Sequence, residues 1–300
     1  MLGQALFAYG GNSGAGTVRH GALSGRESEI VRYWRFAGRT QTNRRRRLWT
    51  TISESGRRMA ESTRIIITDL TRFKEGNPHV CTAGVSADGT LIRPYPPYLL
   101  AKDCERLDIH PGAILEGEFT PASDGPPHVE DCRWENLNYV DRCSSDEFRE
   151  ALEAGLFGSI NEGFEYDLPS DEKCIPISAK PPRSIITIKL SPRSFSIVSD
   201  GFNPDKIRAN LWDASGNQYS FLGITDRGFV DRALKVHGDR SAIAEMNYHV
   251  QSQQELYLRI GLSRAYQAPN GRHGYWVQVN GIYTFPEYLD YIRCYDGKEE

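Results

Sequence analysis

The chain of 300 residues is 39% hydrophobic with a net charge of −3, which is enough apolar content to bury a core. Its longest apolar runs, such as Ile65-Ile66-Ile67, fall far short of the ~20 residues a membrane-spanning helix needs, so no membrane partner is expected. Residues 1–30 lack the basic start and compact apolar run of a secretory signal, and the expected compartment is the cytoplasm. Six cysteines without a C-x-x-C pair or a Cys/His cluster then read as free thiols.

The charge is unevenly distributed. Residues 1–58 hold eleven arginines, three glutamates and neither lysine nor aspartate, a net of +8, which leaves −11 for the rest. So acidic a remainder counts against strong non-specific DNA binding by the folded part, and any basic site there must be local. The first 58 residues are rich in Gly, Ser, Thr and Arg, lack sustained periodicity, and read as a disordered Arg-rich extension. The run Arg44-Arg45-Arg46-Arg47 suits an arm for an anionic partner or a solvated tail. The absence of Lys and Asp also suggests translated upstream sequence, with Met59 as the start.

From Arg64 the pattern changes. Arg64 to Leu70 reads as a buried strand, and strands at His79–Val85 and Thr90–Arg93 flank Ala87-Asp88-Gly89, a hairpin turn signal. Pro94-Tyr95-Pro96-Pro97 stops pairing. A strand at Ala113–Phe119 follows, then a Pro- and Gly-rich turn leading to His128-Val129-Glu130-Asp131. Ser144 and Glu147 form a capping box ahead of a helix. Residues 167–184, with four prolines, read as a linker. Strands are then expected at Ser184–Leu190, Ser194–Val198, Ile207–Trp212 and Gln218–Ile224. A short helix capped by Thr225 or Asp226 runs to Val236, and strands at Glu255–Leu262 and Gly274–Tyr283 close the chain.

Several strands, a helix, then two strands is the order of a small OB-type Greek-key barrel, and both halves approximate it. The expected fold is therefore mainly β with a few short helices. It consists of a first barrel over 59–166, a Pro-rich linker over 167–184, a second barrel over 185–292 and a tail over 293–300. Strand-rich composition alone does not separate this from an SH3-like or PUA-like barrel.

The segments Ile65 to Arg72, Val80 to Gly84, Ile92-Arg93-Pro94 and Pro127 to Asp131 resemble the N-terminal half of the bacterial dual OB-containing domain family. Leu258 to Arg264, Trp276 and Gly281 to Pro286 resemble its second half. The resemblance covers about residues 63–290 and implies two linked OB barrels that handle or modify nucleic acid in bacterial defence or repair. It carries over no catalytic residue.

OB barrels hold single strands by stacking bases on aromatic side chains while Arg or Lys follows the phosphates. Arg93 and Tyr95, and Arg259, Arg264, Arg272, Tyr275 and Trp276 on the closing hairpin, meet that demand, which makes single-stranded DNA or RNA, or a nucleotide-like ligand, the expected partner. An alternative is a nucleic-acid-modifying enzyme built on Asp69, His128, Glu130 and Asp131: in an extended segment His128 and Glu130 share a face and could act as acid and base or share a divalent metal. One His with two acids is a weak metal signal, and no cofactor is expected, since Walker, H-E-x-x-H and G-x-S-x-G motifs are absent. Packing roles for the aromatics, and a protein partner held by an acidic, apolar face, are the remaining readings.

Overall fold

The computed structural model describes residues 62–73, 76–203, 206–235, 240–289 and 293. The Arg-rich extension, Met59, Cys294 and the rest of the tail beyond Arg293 lie outside the described residues. The fold is mainly β, with a closed five-strand barrel and a larger sheet.

In the first unit, β1 (Thr63–Arg72), β2 (His79–Ser86), β3 (Leu91–Pro94) and the short β4 (Leu99–Leu100) precede helix α1 (Ala101–Arg106). Strands β5 (Ala113–Pro121) and β6 (Asp131–Arg142) follow. The path β1-β5-β6-β3-β2 closes through β1–β2 pairing, with β3 and β6 parallel. β-Branched residues suit the pleated, half-buried surface, and Ile65, Ile67, Val80 and Ile92 form its core with Leu115. Gly89 supplies the φ of +83° that the loop between β2 and β3 requires.

A connecting region carries α2 (Ser145–Glu153), β7 (Leu156–Phe157), α3 (Ile160–Phe164) and β8 (Cys174–Pro176). The expected capping box is present: Ser144 Oγ accepts from Glu147 N–H, and a Glu147 carboxylate oxygen accepts from Ser144 N–H. Ser144→Ala should cost about 1 kcal/mol of unfolding free energy, measurable by urea titration. The proline-rich stretch 167–184 contains β8, which pairs with a later strand, and it buries Leu168 and Ile175.

The second unit begins with β9 (Ile185–Leu190) and β10 (Phe195–Ser199), one strand interrupted by a short 3-10 turn at Pro192–Ser194. It continues through β11 (Ile207–Trp212), β12 (Gln218–Ile224), α4 (Arg227–Lys235) and α5 (Arg240–Ser252). Strands β13 (Glu255–Leu262), β14 (Tyr266–Gln267) and β15 (His273–Phe285) complete it. Its sheet runs β10-β11-β12-β15-β13-β9-β7, with β12–β15 and β7–β9 as its parallel pairs. The pairing scheme repeats that of the first unit: the third main strand meets the last in parallel, and helix sits between the third and fourth. Pro192 divides the first strand so that β9 pairs with β13 and β10 with β11.

Both units belong to one compact body. Tyr283 donates its hydroxyl to the Thr68 carbonyl at 2.7 Å, and Arg72 N–H bonds the Thr225 carbonyl at 3.0 Å, so β1 is held directly by the second sheet. Among the described residues no helix is long and apolar enough to cross a membrane, and Cys81, Cys104, Cys132, Cys143 and Cys174 are free.

Candidate functional site

Parallel pairing of β3 with β6 sets Arg93 opposite Asp131, and Arg93 N–H donates to the Glu130 carbonyl at 2.8 Å. That register directs the Arg93 guanidinium into a ring of acceptors. It meets His128 Nδ1 at 3.2 Å, Glu130 Oε2 at 3.3 Å and Asp131 Oδ1 at 3.4 Å, and it also donates to Ser184 Oγ. Glu130 in turn accepts from the Ser184 backbone N–H at 2.7 Å and its hydroxyl at 2.9 Å. Residues 128–130 form a turn and not an extended segment, and His128 and Glu130 converge on Arg93. Arg93 can only donate, so His128 Nδ1 is the acceptor and the proton sits on Nε2. Burial, with Arg93 and Arg264 nearby, pushes the His128 pKa down to about 3, so the ring is neutral at physiological pH.

Asp69 is 1% exposed on β1 and pairs with Arg259 of β13, also 1% exposed: Arg259 donates Nε–H to Asp69 Oδ2 at 2.9 Å and Nη1–H to Thr187 at 2.8 Å. The Thr68 hydroxyl adds a bond to the same carboxylate oxygen at 2.8 Å. Breaking such a pair in a low-dielectric interior is costly, because the member left behind is an uncompensated buried charge.

Arg264 is partly exposed. It bonds Asp131 Oδ2 at 2.7 Å and Tyr98 at 3.3 Å, and its guanidinium lies 4.7 Å from the centre of the Tyr95 ring, which is itself 4.1 Å from that of Tyr98. Burial opposes its charge, but Asp131 and Tyr98 outweigh that and raise its pKa above the ordinary value. Arg272 is exposed and bonds Glu172 at 2.7 Å, Trp276 is half-buried, and Tyr275 is buried with its ring nearly perpendicular to that of His128.

Of the proposed nucleic-acid contacts, then, Arg93, Arg259 and Tyr275 are internal, and the two arginines are neutralised by carboxylates. The proposed acid and base residues fall into two clusters, Asp69 with Arg259, and His128, Glu130 and Asp131 around Arg93. Among the described residues no three His, Cys, Asp or Glu side chains group as metal ligands.

Between the two units lies a cleft of about 940 Å³. Its walls include Asp69, Arg93 and Arg264 from the sequence-derived candidates, and also Arg72, Lys206 and Arg208, with Tyr98 and Tyr266 beside them. Arg72 is held by Asp231 at 3.1 Å and Arg208 by Asp200 at 2.7 Å. Neither acid is among the wall residues, and each guanidinium keeps N–H groups beyond the ones its acid takes. Gly261, next to the wall, lacks a Cβ that would sit 2.6 Å from Cγ of Asn280, which is a wall residue. Cys81 reaches the same wall, where burial pushes its thiol up and keeps it protonated.

The geometry defines a two-unit β protein with a concave, arginine- and tyrosine-lined cleft at the seam. A scan against protein-family models and a search of curated proteins find no match to the chain.

Proposed function

We propose that the protein binds single-stranded nucleic acid or a nucleotide-like ligand in the cleft between two OB-type barrels. The observation that carries this reading is the cleft itself, whose volume of about 940 Å³ suits a nucleotide and whose walls bring Arg72, Lys206, Arg208 and Arg264 together with Tyr98 and Tyr266. Fixed guanidinium forks bind phosphate oxygens in pairs, and phenol rings offer stacking faces worth about 1–3 kcal/mol per base. The shared strand order with its parallel closing pair supports the OB assignment. The resemblance to the dual OB-containing family supports it too.

The test is fluorescence anisotropy of labelled single-stranded DNA and RNA hexamers against the full chain at several salt concentrations. Binding should weaken as salt rises. Arg264→Ala should weaken it about tenfold or more, because it removes both a phosphate donor and the group stacked on Tyr95. A variant with Arg44, Arg45, Arg46 and Arg47 all changed to Ala should retain most of it. Unchanged affinity in Arg264→Ala, or loss only in the second variant, would assign binding to the arginine run and refute the cleft.

A further inference from the structure

Most polar groups on the cleft wall are already engaged. Asp69, the one acid of the wall among the described residues, is 1% exposed and paired with Arg259. Arg93 is buried with its guanidinium against Ser184, His128, Glu130 and Asp131. The Thr71 hydroxyl donates to the Cys81 carbonyl at 3.3 Å and that of Thr225 to Asn280 Oδ1 at 3.0 Å, while the Asn280 NH2 packs over Gly261. Arg264 sets Nη1 against Asp131 and Nε against Tyr98, and its Nη2 is buried.

The N–H donors that remain gather on one row of the second sheet. Pairing sets Arg208 of β11 opposite Gly223 of β12, and Gly223 opposite Gln278 of β15, so the three share a face, and all three line the cleft. Arg208 sets Nε and Nη2 against Asp200 Oδ2 at 2.8 and 2.7 Å, which leaves Nη1 without a partner among the described residues. That nitrogen lies over Gly223, where a Cβ would sit 3.2 Å from it. Gly223 is not among the glycines of positive φ, so its missing side chain provides space and not a special backbone conformation. Gln278 is half-buried, and its amide has no partner among the described residues. Lys206, two positions before Arg208 and on the same face, is exposed. Arg72 is rooted alongside, its backbone N–H on the carbonyl of Thr225, two residues beyond Gly223; it turns Nη1 to Asp231 and keeps its other N–H groups.

We infer that the row Arg208, Gly223 and Gln278 is a seat for one phosphate group of the ligand, with Gly223 as its floor and Lys206 and Arg72 at its sides. The inference rests on the cleft reading proposed above and assigns the place and the partners of its phosphate contact. The row offers donors from separate strands with no acid among them, which suits an oxyanion. Each arginine charge is met by an acid off the wall, whereas that of Lys206 is met by none among the described residues, so the seat keeps a positive charge. A charged oxygen gains about twice as much from such donors as a neutral carbonyl does. A glycine inside a strand is also where a ligand can approach the backbone closely.

The test is titration calorimetry of the full chain with inorganic phosphate, run beside displacement of a labelled deoxycytidine hexamer by phosphate and by sodium chloride at matched ionic strength. Phosphate should displace the hexamer well beyond what chloride does, because screening alone acts equally in both. Arg208→Gln should lower phosphate affinity at least about tenfold, the loss expected of a hydrogen bond to a charged group. Gly223→Val, whose branched side chain suits a strand and fills the floor, should lower it as far with Arg208 intact. Melting curves check that both variants fold, and Gln278→Leu, which should lower affinity severalfold, serves if either does not. Unchanged phosphate affinity in the folded variants overturns the seat, as does displacement no greater than that by chloride, and in both cases hexamer binding leaves the cleft reading standing. Phosphate binding that Arg208→Gln removes, in a parent chain that binds no hexamer, keeps the seat and refutes nucleic acid as the ligand. If the parent binds neither, both fall.

Discussion

Arg259→Met should lower the unfolding free energy by about 3–5 kcal/mol, the usual cost of leaving one member of a buried ion pair without the other. Asp69 is 1% exposed, and without Arg259 its carboxylate would retain only the Thr68 hydroxyl. The double variant Asp69→Leu/Arg259→Met should cost clearly less than the two single changes added together. It removes both charges, although the Thr68 and Thr187 hydroxyls then lose partners worth about 1 kcal/mol each. Denaturant titration of the four proteins gives the coupling directly, and additive costs would show that the pair does not act as a unit.

The second large effect is on pH dependence. Asp226 is buried ahead of α4 and accepts from Phe229 N–H at 3.2 Å and Ile282 N–H at 3.1 Å. Burial, outweighing those donors, raises its pKa from 3.8 to about 7. The folded chain therefore binds this proton more tightly than the unfolded one, and the Asp226 contribution to stability falls as pH rises from about 4 to about 7. His128 has the opposite sign. With its pKa depressed from 6.5 to about 3, it is protonated only in the unfolded chain across that window, so its contribution falls as pH drops through it. Each slope can reach about 1.4 kcal/mol per pH unit, one proton's worth. The two oppose each other, so between pH 4 and 6.5 the parent chain should show little net slope from this source.

Asp226→Asn should expose the histidine and make stability rise steeply with pH, and His128→Asn should expose the aspartate and make it fall. The readout is the difference in slope between variant and parent in urea titrations at stepped pH, which cancels the surface carboxylates common to both. Parallel profiles for all three proteins would show that neither group is linked to folding in this range.

The strands most readable in the sequence were those dense in β-branched residues. The expected strands Arg64 to Leu70, Ser184 to Leu190, Ile207 to Trp212 and Glu255 to Leu262 fall within a residue or two of β1, β9, β11 and β13. β6 was not read as a strand because Asp131 to Arg142 is rich in Asn, Asp, Glu and Arg; pairing with β5 and β3 holds it, and much of its outer face is solvated. The sequence reading ends its helix at Val236 and places nothing before Glu255, so it lacks α5, although Ala242, Met246 and Val250 are buried at helical spacing.

The site was harder. An arginine reads the same whether it faces solvent or a buried acid, and the partner that decides Arg259 lies 190 positions away. Arg208 was within reach: Ala209 and Leu211 are buried at alternate positions on β11, which places Arg208 on the other face of the strand, where it lines the cleft.

The same distance in sequence bears on how the chain is made. β1 leaves the ribosome long before β13, so during synthesis the first barrel carries an acid destined for its interior while the neutralising cation has yet to be translated. Final locking of the N-terminal half waits on the C-terminal half, a route dominated by late, non-local pairings and therefore slow. Produced as two separate polypeptides, each half would hold one member of the ion pair, and neither would be complete until they met.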